Sequence, residues 1–246
     1  MDFALPHAWG FALVVFRTTG LFAVAPIFSA FTVPMRLRMG IAFAVAVAIF
    51  TGAGMPRVAP ADSLFGLAFA AAAETAIGLC AGLCARLVLE AALGAGHVAG
   101  LAAGLGYGSL VDPFNGASSS VISQLLSTLA LAFAVAADLH AEAIAWLCRS
   151  VMEHPPGSAL AFKALAQTTI VTAAWTSALS VRLAFPFMAA GLMGNAALGV
   201  LNRSVPQLSL QNIGFSISLI AGGAALFFAA PAAAEIAARS AVAVFR

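Results

Sequence analysis

The stretch SLFGLAFAAAAETAIGLCAGLCARLVLEAALGAGHVAGLAA, residues 63–103, decides the fold class. Its charged side chains are only Glu74, Arg86 and Glu90. The stretch reads as helix, and it is far too long for a simple membrane span. A bilayer core of about 30 Å takes around 20 helical residues. A helix of this length must kink, break, or continue beyond the membrane packed against protein. Glu74 lies well inside it, where lipid would be a poor neighbour for a carboxylate.

The rest of the chain has the same character. Of 246 residues, 63% are hydrophobic and 8% charged, and mean hydropathy is +1.04. Soluble domains are roughly 45–50% apolar and about 25% charged, so a soluble fold of this size could not cover itself. An all-α membrane protein, held in a lipid bilayer, is expected. Formal net charge is +2, with basic residues scattered singly or in pairs. No basic stripe or aromatic platform for nucleic acid is present, which removes that class. Asp2 precedes the first apolar stretch without a basic n-region, so no removable signal peptide is expected.

Six apolar stretches read as helices, at about Ala8–Ala25, Arg38–Thr51, Ser63–Ala103, Val121–Val151, Leu165–Leu201 and Ile213–Ala238. Arg38–Thr51 is short for a span, and the third and fifth are too long. Arg17, Glu74, Asp138 and Arg182 each sit well inside a stretch. An Arg or Asp at mid-bilayer costs about 2.5–3.5 kcal/mol on insertion scales, against a gain of about 0.3–0.6 kcal/mol for a Leu or Phe. Such charges should face protein or water. Arg86 and Glu90, at i,i+4, can pair along one face. Gly96, Gly100 and Gly104 fall at four-residue spacing, with Gly78 and Gly82 earlier, a pattern that lets helix backbones approach closely in lipid. Basic residues in the connections, among them Arg36, Arg57, Arg149, Lys163 and Arg203, fall on both sides of any simple zigzag, so they set no topology.

Two connections carry local signals. Pro26 and Pro34 bracket Ile27–Val33, with Arg36 and Arg38 following, which predicts a rigid turn with a basic end. Gly104, Gly106 and Gly108 alternate before Asp112-Pro113-Phe114-Asn115-Gly116, which predicts a loop. Irregular backbone beside long apolar helices survives only against protein or a water-filled cavity. That makes Gly104–Gly116 a functional candidate, with Tyr107, Leu110, Val111 and Phe114 as apolar bulk and glycines as hinges.

Signatures of chemistry are missing. There is no HExxH helix, P-loop or Rossmann glycine pattern. Gly116-Ala117-Ser118-Ser119 lacks the glycine after serine of an intramembrane protease, and reads as a helix cap beside a turn. Cys80, Cys84 and Cys148 lack nearby histidines and read as buried, inert thiols, so no metal site is expected. Neither catalytic residues nor a cofactor are expected. A multipass solute or ion transporter could use Arg17, Glu74, Asp138 and Arg182 as an ion pathway. No inverted repeat with matched broken helices supports that alternative.

Three stretches in register resemble the FliR family of flagellar biosynthesis proteins, subunits of type III export gates. They are Phe16-Arg17-Thr18-Thr19-Gly20 through Ala25-Pro26-Ile27-Phe28 and Val33-Pro34-Met35-Arg36-Leu37-Arg38; then Val111-Asp112-Pro113 with Gly116, Leu125–Leu131, Phe133 and His140; and Leu183-Ala184-Phe185-Pro186, Gly199 and Asn202-Arg203-Ser204-Val205-Pro206-Gln207-Leu208. After that last run the family has Asn and a Phe-Pro-Leu-Lys-like segment, where this chain has Ser209 and Phe215-Ser216-Ile217-Ser218. The resemblance implies long kinked helices and helical hairpins forming part of a multi-subunit cone around an export channel. It implies a FliP-like portion, residues 1–158, and a FliQ-like hairpin, residues 159–246. The implied partners are FliP and FliQ homologues, FlhA and FlhB homologues, and unfolded export substrates, at the flagellar basal body in the bacterial inner membrane. Residues 104–116 would then plug the pore, with Tyr107, Leu110, Val111, Asp112, Pro113 and Phe114 at its tip. Arg17, Pro26, Pro34, Arg36, Arg38, Arg182, Arg203, Pro206 and Gln207 are the expected subunit contacts.

Overall fold

The computed structural model describes residues 4–29, 34–102, 121–157, 162–204 and 210–246. These form seven helices and no strand: α1 Ala4–Val24, α2 Met35–Gly52, α3 Leu64–Ala102, α4 Val121–Ala136, α5 Leu139–Glu153, α6 Phe162–Ser204 and α7 Leu210–Ala243. At about 1.5 Å per residue, the 39 residues of α3 reach about 58 Å, well beyond a bilayer core. α6 has 43 residues, with Pro186 inside it, and α7 has 34, with Pro231 inside it. Each proline removes one intrahelical hydrogen bond, and Pro186 leaves the carbonyl of Arg182 without its i+4 donor. By length and composition, four helices can cross a membrane, or five if α4 and α5 form one broken span.

Two of the expected segments change shape. The run Val121–Val151 is two helices, broken at Ala137–Asp138 and bent there by 61°. Asp138 holds the left-handed conformation, φ 58° and ψ 32°, one of the few side chains that tolerates it. The charge expected inside a helix therefore sits exposed at a helix break. The second helix starts three residues earlier than its apolar run. Pro34 precedes it with φ −56°, so Met35 and Arg36 join its first turn, and Arg36 belongs to a helix, not a connection. Arg149, Lys163 and Arg203 likewise lie within α5 and α6.

The chain divides into two compact units. One holds residues Met1–Leu87, Val135–Ala173 and Ser240–Arg246; the other holds Val88–Ala134 and Ala174–Arg239. In the first, α1, α2 and α5 enclose Val14, Ala46, Ile49, Phe50, Leu147 and Val151. Phe11 anchors that cluster edge-on to Phe43 and Phe50, with ring centroids 5.6 and 5.4 Å away. After α1, the turn at Pro26 lets Phe28 stack on Phe22 at 4.0 Å. In the second unit, small residues form the seams: Ala91, Ala95 and Ala99 on α3, Ala130 and Ala134 on α4, and Ala230, Ala234 and Ala238 on α7 are all buried. Gly96 rests on the backbone of Ser123, where an added Cβ would collide. Lipid tails are as apolar as leucine, so close backbone approach of this kind is what holds membrane helices together.

The tightest contact in the first unit is the crossing of α1 and α3. An added Cβ at Gly20 would strike the carbonyl of Thr75, and one at Gly78 would strike the carbonyl of Arg17. One at Gly82 would come within 2.9 Å of the Leu21 carbonyl. Overpacking a tight site typically costs about 1–3 kcal/mol, and more where backbone is the obstacle. Gly78→Val is therefore expected to lower the thermal unfolding temperature of the detergent-solubilised protein, or abolish its accumulation. Gly40→Ala is the control, since nothing lies within 4 Å of a Cβ there, and it should leave unfolding unchanged or slightly raised.

Candidate functional site

Just outside that crossing, one turn before each glycine, sit the two most deeply buried charges. Arg17 is three residues before Gly20, and Glu74 is four before Gly78. Both side chains are essentially inaccessible, and Arg17 Nε donates to Glu74 Oε2 at 2.6 Å. The pair exists because no Cβ holds the two backbones apart.

Neither ion is left with only one partner. Arg17 Nη1 donates to the carbonyl of Ser150 at 2.8 Å, to its hydroxyl at 3.0 Å and to the carbonyl of His154 at 3.2 Å. Those carbonyls lie in the last turn of α5 and at the residue that caps it, and this C-terminal end carries partial negative charge that a cation offsets. The second oxygen of Glu74 accepts the backbone N–H of Gly157 at 2.8 Å. Gly157 holds φ +79°, which turns the chain so that its N–H meets the carboxylate. Arg17 Nη2 is buried without a partner among the described residues. Next to Arg17, buried Thr18 returns its hydroxyl to the carbonyl of Val14 at 2.8 Å and so leaves no free donor. The arrangement is a three-way junction tying α1, α3 and the end of α5. Both Glu74 oxygens are occupied.

The other expected residues take varied places. Pro26 lies half-buried in the turn after α1, and Pro34 is exposed at the start of α2. Arg36 is exposed and Arg38 half-buried in the first turn of that helix. Arg182 is exposed on α6 and makes no hydrogen bond or ion pair to any described residue, and Arg203 is exposed in its last turn. Arg17 differs from the rest: its side chain is wholly internal, and its partners, a carboxylate and carbonyls at the end of α5, come from its own chain. Pro206 and Gln207 lie outside the described residues, as does the whole expected plug, Gly104–Gly116 with Tyr107, Leu110, Val111, Asp112, Pro113 and Phe114. Sequence reasoning missed Ser150, His154 and Gly157, whose contribution is mainly backbone and leaves no side-chain signal. The pairing of Arg17 with Glu74 did carry one, since each charge precedes a glycine by one helical turn.

The family model for bacterial export proteins, family 1, matches residues 8–242, nearly the entire chain. The chain belongs to that family. Among curated relatives, the flagellar biosynthetic protein FliR of Escherichia coli (strain K12) is 30% identical over 210 residues, covering 84% of this chain and 78% of the relative. FliR of Bacillus subtilis (strain 168) is 27% identical over 212 residues, covering 85% and 81%. FliR of Caulobacter vibrioides is 28% identical over 212 residues, covering 86% and 84%. The matched region of the family model takes in every residue of the junction, from Arg17 to Gly157.

Removing one member of a buried ion pair typically costs about 3–5 kcal/mol, because the other charge is left uncompensated. Arg17→Ala and Glu74→Ala should each strongly reduce folded protein, read as protease half-life in isolated membranes. Arg17→Lys should recover only part, because an ammonium cannot reach both Glu74 and the α5 carbonyls in Arg's planar geometry. The double variant Arg17→Met/Glu74→Met should be more stable than either alanine variant. Additive losses in the double variant would show that the two groups act independently.

Proposed function

We propose that this chain is a structural and gating subunit of a flagellar type III export apparatus, helping to form the channel for unfolded flagellar proteins. The observation that carries this is the family match across residues 8–242, with FliR relatives aligned over most of their own lengths. The fold supports it. α6 presents exposed Val181, Phe185, Met188 and Leu192 at three- and four-residue spacing, and exposed Arg182 lies in the same stretch. A guanidinium beside that apolar face is costly against lipid and cheap against protein carbonyls or carboxylates, so the face suits neighbouring subunits. The solute-transporter reading loses its basis, because Glu74 is fully engaged and Asp138 sits outside any helix.

In this reading FliP and FliQ homologues surround the chain, with FlhA and FlhB homologues nearby, in the inner membrane at the flagellar basal body. Residues 1–158 play the FliP-like part. Residues 159–246 form the FliQ-like hairpin, an assignment supported by the succession of α6 and α7. Residues 104–116 plug the pore, and Pro26, Pro34, Arg36, Arg38, Arg182, Arg203, Pro206 and Gln207 meet the other subunits. The chain itself does no covalent chemistry; other components supply the energy.

Mild-detergent purification followed by mass spectrometry should recover FliP and FliQ homologues with the chain. Recovery of an isolated monomer that moves a solute in liposomes would sink the proposal. For the plug, deleting Tyr107–Phe114 should leave that complex intact while raising membrane conductance in expressing cells. Background conductance from an assembled deletion complex would rule the plug out.

A further inference from the structure

Within the first unit, the end of α5 opens a cleft of about 370 Å³ that the export reading does not use. Its lining is Ile77 of α3, Trp146, Arg149, Ser150, Glu153 and His154 at the end of α5, and Val244 and Arg246 after α7. We propose that this cleft holds the headgroup of a zwitterionic phospholipid, with its phosphate on Arg149 and Arg246 and its amine on Glu153.

The two guanidiniums are held in place by the protein. Arg149 Nη2 donates to the carbonyl of Phe245, and Arg246 donates through Nε and Nη2 to Glu142 Oε1, both at 3.1 Å. Each is thereby fixed along one edge. Arg149 keeps its Nε and Nη1 donors for an incoming anion, and Arg246 keeps Nη1. Pinned guanidiniums suit tetrahedral oxyanions, whose oxygens match their planar donors. Phe245 itself is buried and packs against Trp146, with ring centroids 6.1 Å apart, which anchors the segment that carries Val244 and Arg246.

Two features select a lipid over a free anion. Glu153 is an exposed carboxylate in the lining that forms no ion pair with any described residue. It would repel inorganic phosphate and attract the ammonium of an ethanolamine. Ile77, Trp146 and Val244 add apolar lining, of use to a glycerol backbone and useless to an inorganic ion. Arginine beside tryptophan and aliphatic surface is the composition found where membrane helices meet headgroups. The helix supplying most of the lining also changes character at the right place. α4 carries no charged residue, whereas α5 carries His140, Glu142, Arg149 and Glu153 on the faces not buried by Leu139, Ala143, Leu147 and Val151.

The test uses the full-length chain in mild detergent, with whatever subunits accompany it. Phosphatidylethanolamine, phosphatidylglycerol and inorganic phosphate are offered separately, and retention is read by native mass spectrometry. Phosphatidylethanolamine should be retained in preference to phosphatidylglycerol, and millimolar inorganic phosphate should not displace it. Arg149→Gln/Arg246→Gln should weaken retention of both lipids by about tenfold or more, the scale of a lost charge-assisted contact. Glu153→Gln, at an exposed position, should leave folding intact and erase the preference for ethanolamine. Glu153→Arg should reverse that preference, which keeps the test decisive if the double arginine variant does not fold. Unchanged headgroup preference in both Glu153 variants, or equal displacement by inorganic phosphate, would overturn the assignment.

Discussion

The contact between Arg17 and Glu74 organises the first unit of this protein, and it depends on an absence of side-chain bulk. Taking two ions out of water carries a penalty of several kcal/mol each, which mutual attraction offsets only when geometry and further hydrogen bonds are good. Here the glycines at 20, 78 and 82 bring α1 and α3 together closely enough for a 2.6 Å contact. The spare donors and acceptors then capture Ser150, His154 and Gly157. Elements distant in sequence are thus joined at one point, and the end of α5 is set by that point. The orientation of Arg149, the residue before Ser150, and of Trp146, one turn before it, follows from it.

Such a junction matters more in a membrane protein than in a soluble one. Burial of apolar surface cannot choose between alternative helix pairings when the solvent is itself apolar. A lone pair of opposite charges can, because every wrong register strands both ions. The alanine seams of the second unit allow close packing but distinguish registers weakly, since one alanine resembles the next. The charged junction in one unit and the uncharged seams in the other therefore have different consequences. The first specifies, and the second accommodates.

Much of this architecture was legible in the sequence. The apolar runs with their excess length announced long membrane helices, and they are found as α3 and α6. Arg17 and Glu74 were recognisable as charges in need of protein neighbours. What escaped notice has physical causes. The break at Asp138 lies after Ala136-Ala137, where local propensity favours helix, and only tertiary packing selects the left-handed turn. The start of α2 was hidden because an apolar count excludes Arg36, although a proline before Met35 is a sound helix boundary. The partners of Arg17 on α5 are mostly carbonyls, and a carbonyl is the same in every residue. The stretch most suggestive of function, Gly104–Gly116, lies outside the described residues.

The separation of the junction's members along the chain bears on how the protein is made. Arg17 precedes Glu74 by 57 residues and Ser150 by 133. During synthesis, α1 reaches the translocation machinery carrying a guanidinium whose counter-ion has not yet been translated. A lone arginine at mid-helix raises the insertion cost by about 2.5–3.5 kcal/mol, which the apolar residues of α1 must offset. Its guanidinium stays without this counter-ion until α3 emerges. Final seating awaits the end of α5. The order of integration is therefore partly written into the fold: α1 leaves the ribosome before α3 and α5, yet its charge is settled only after both.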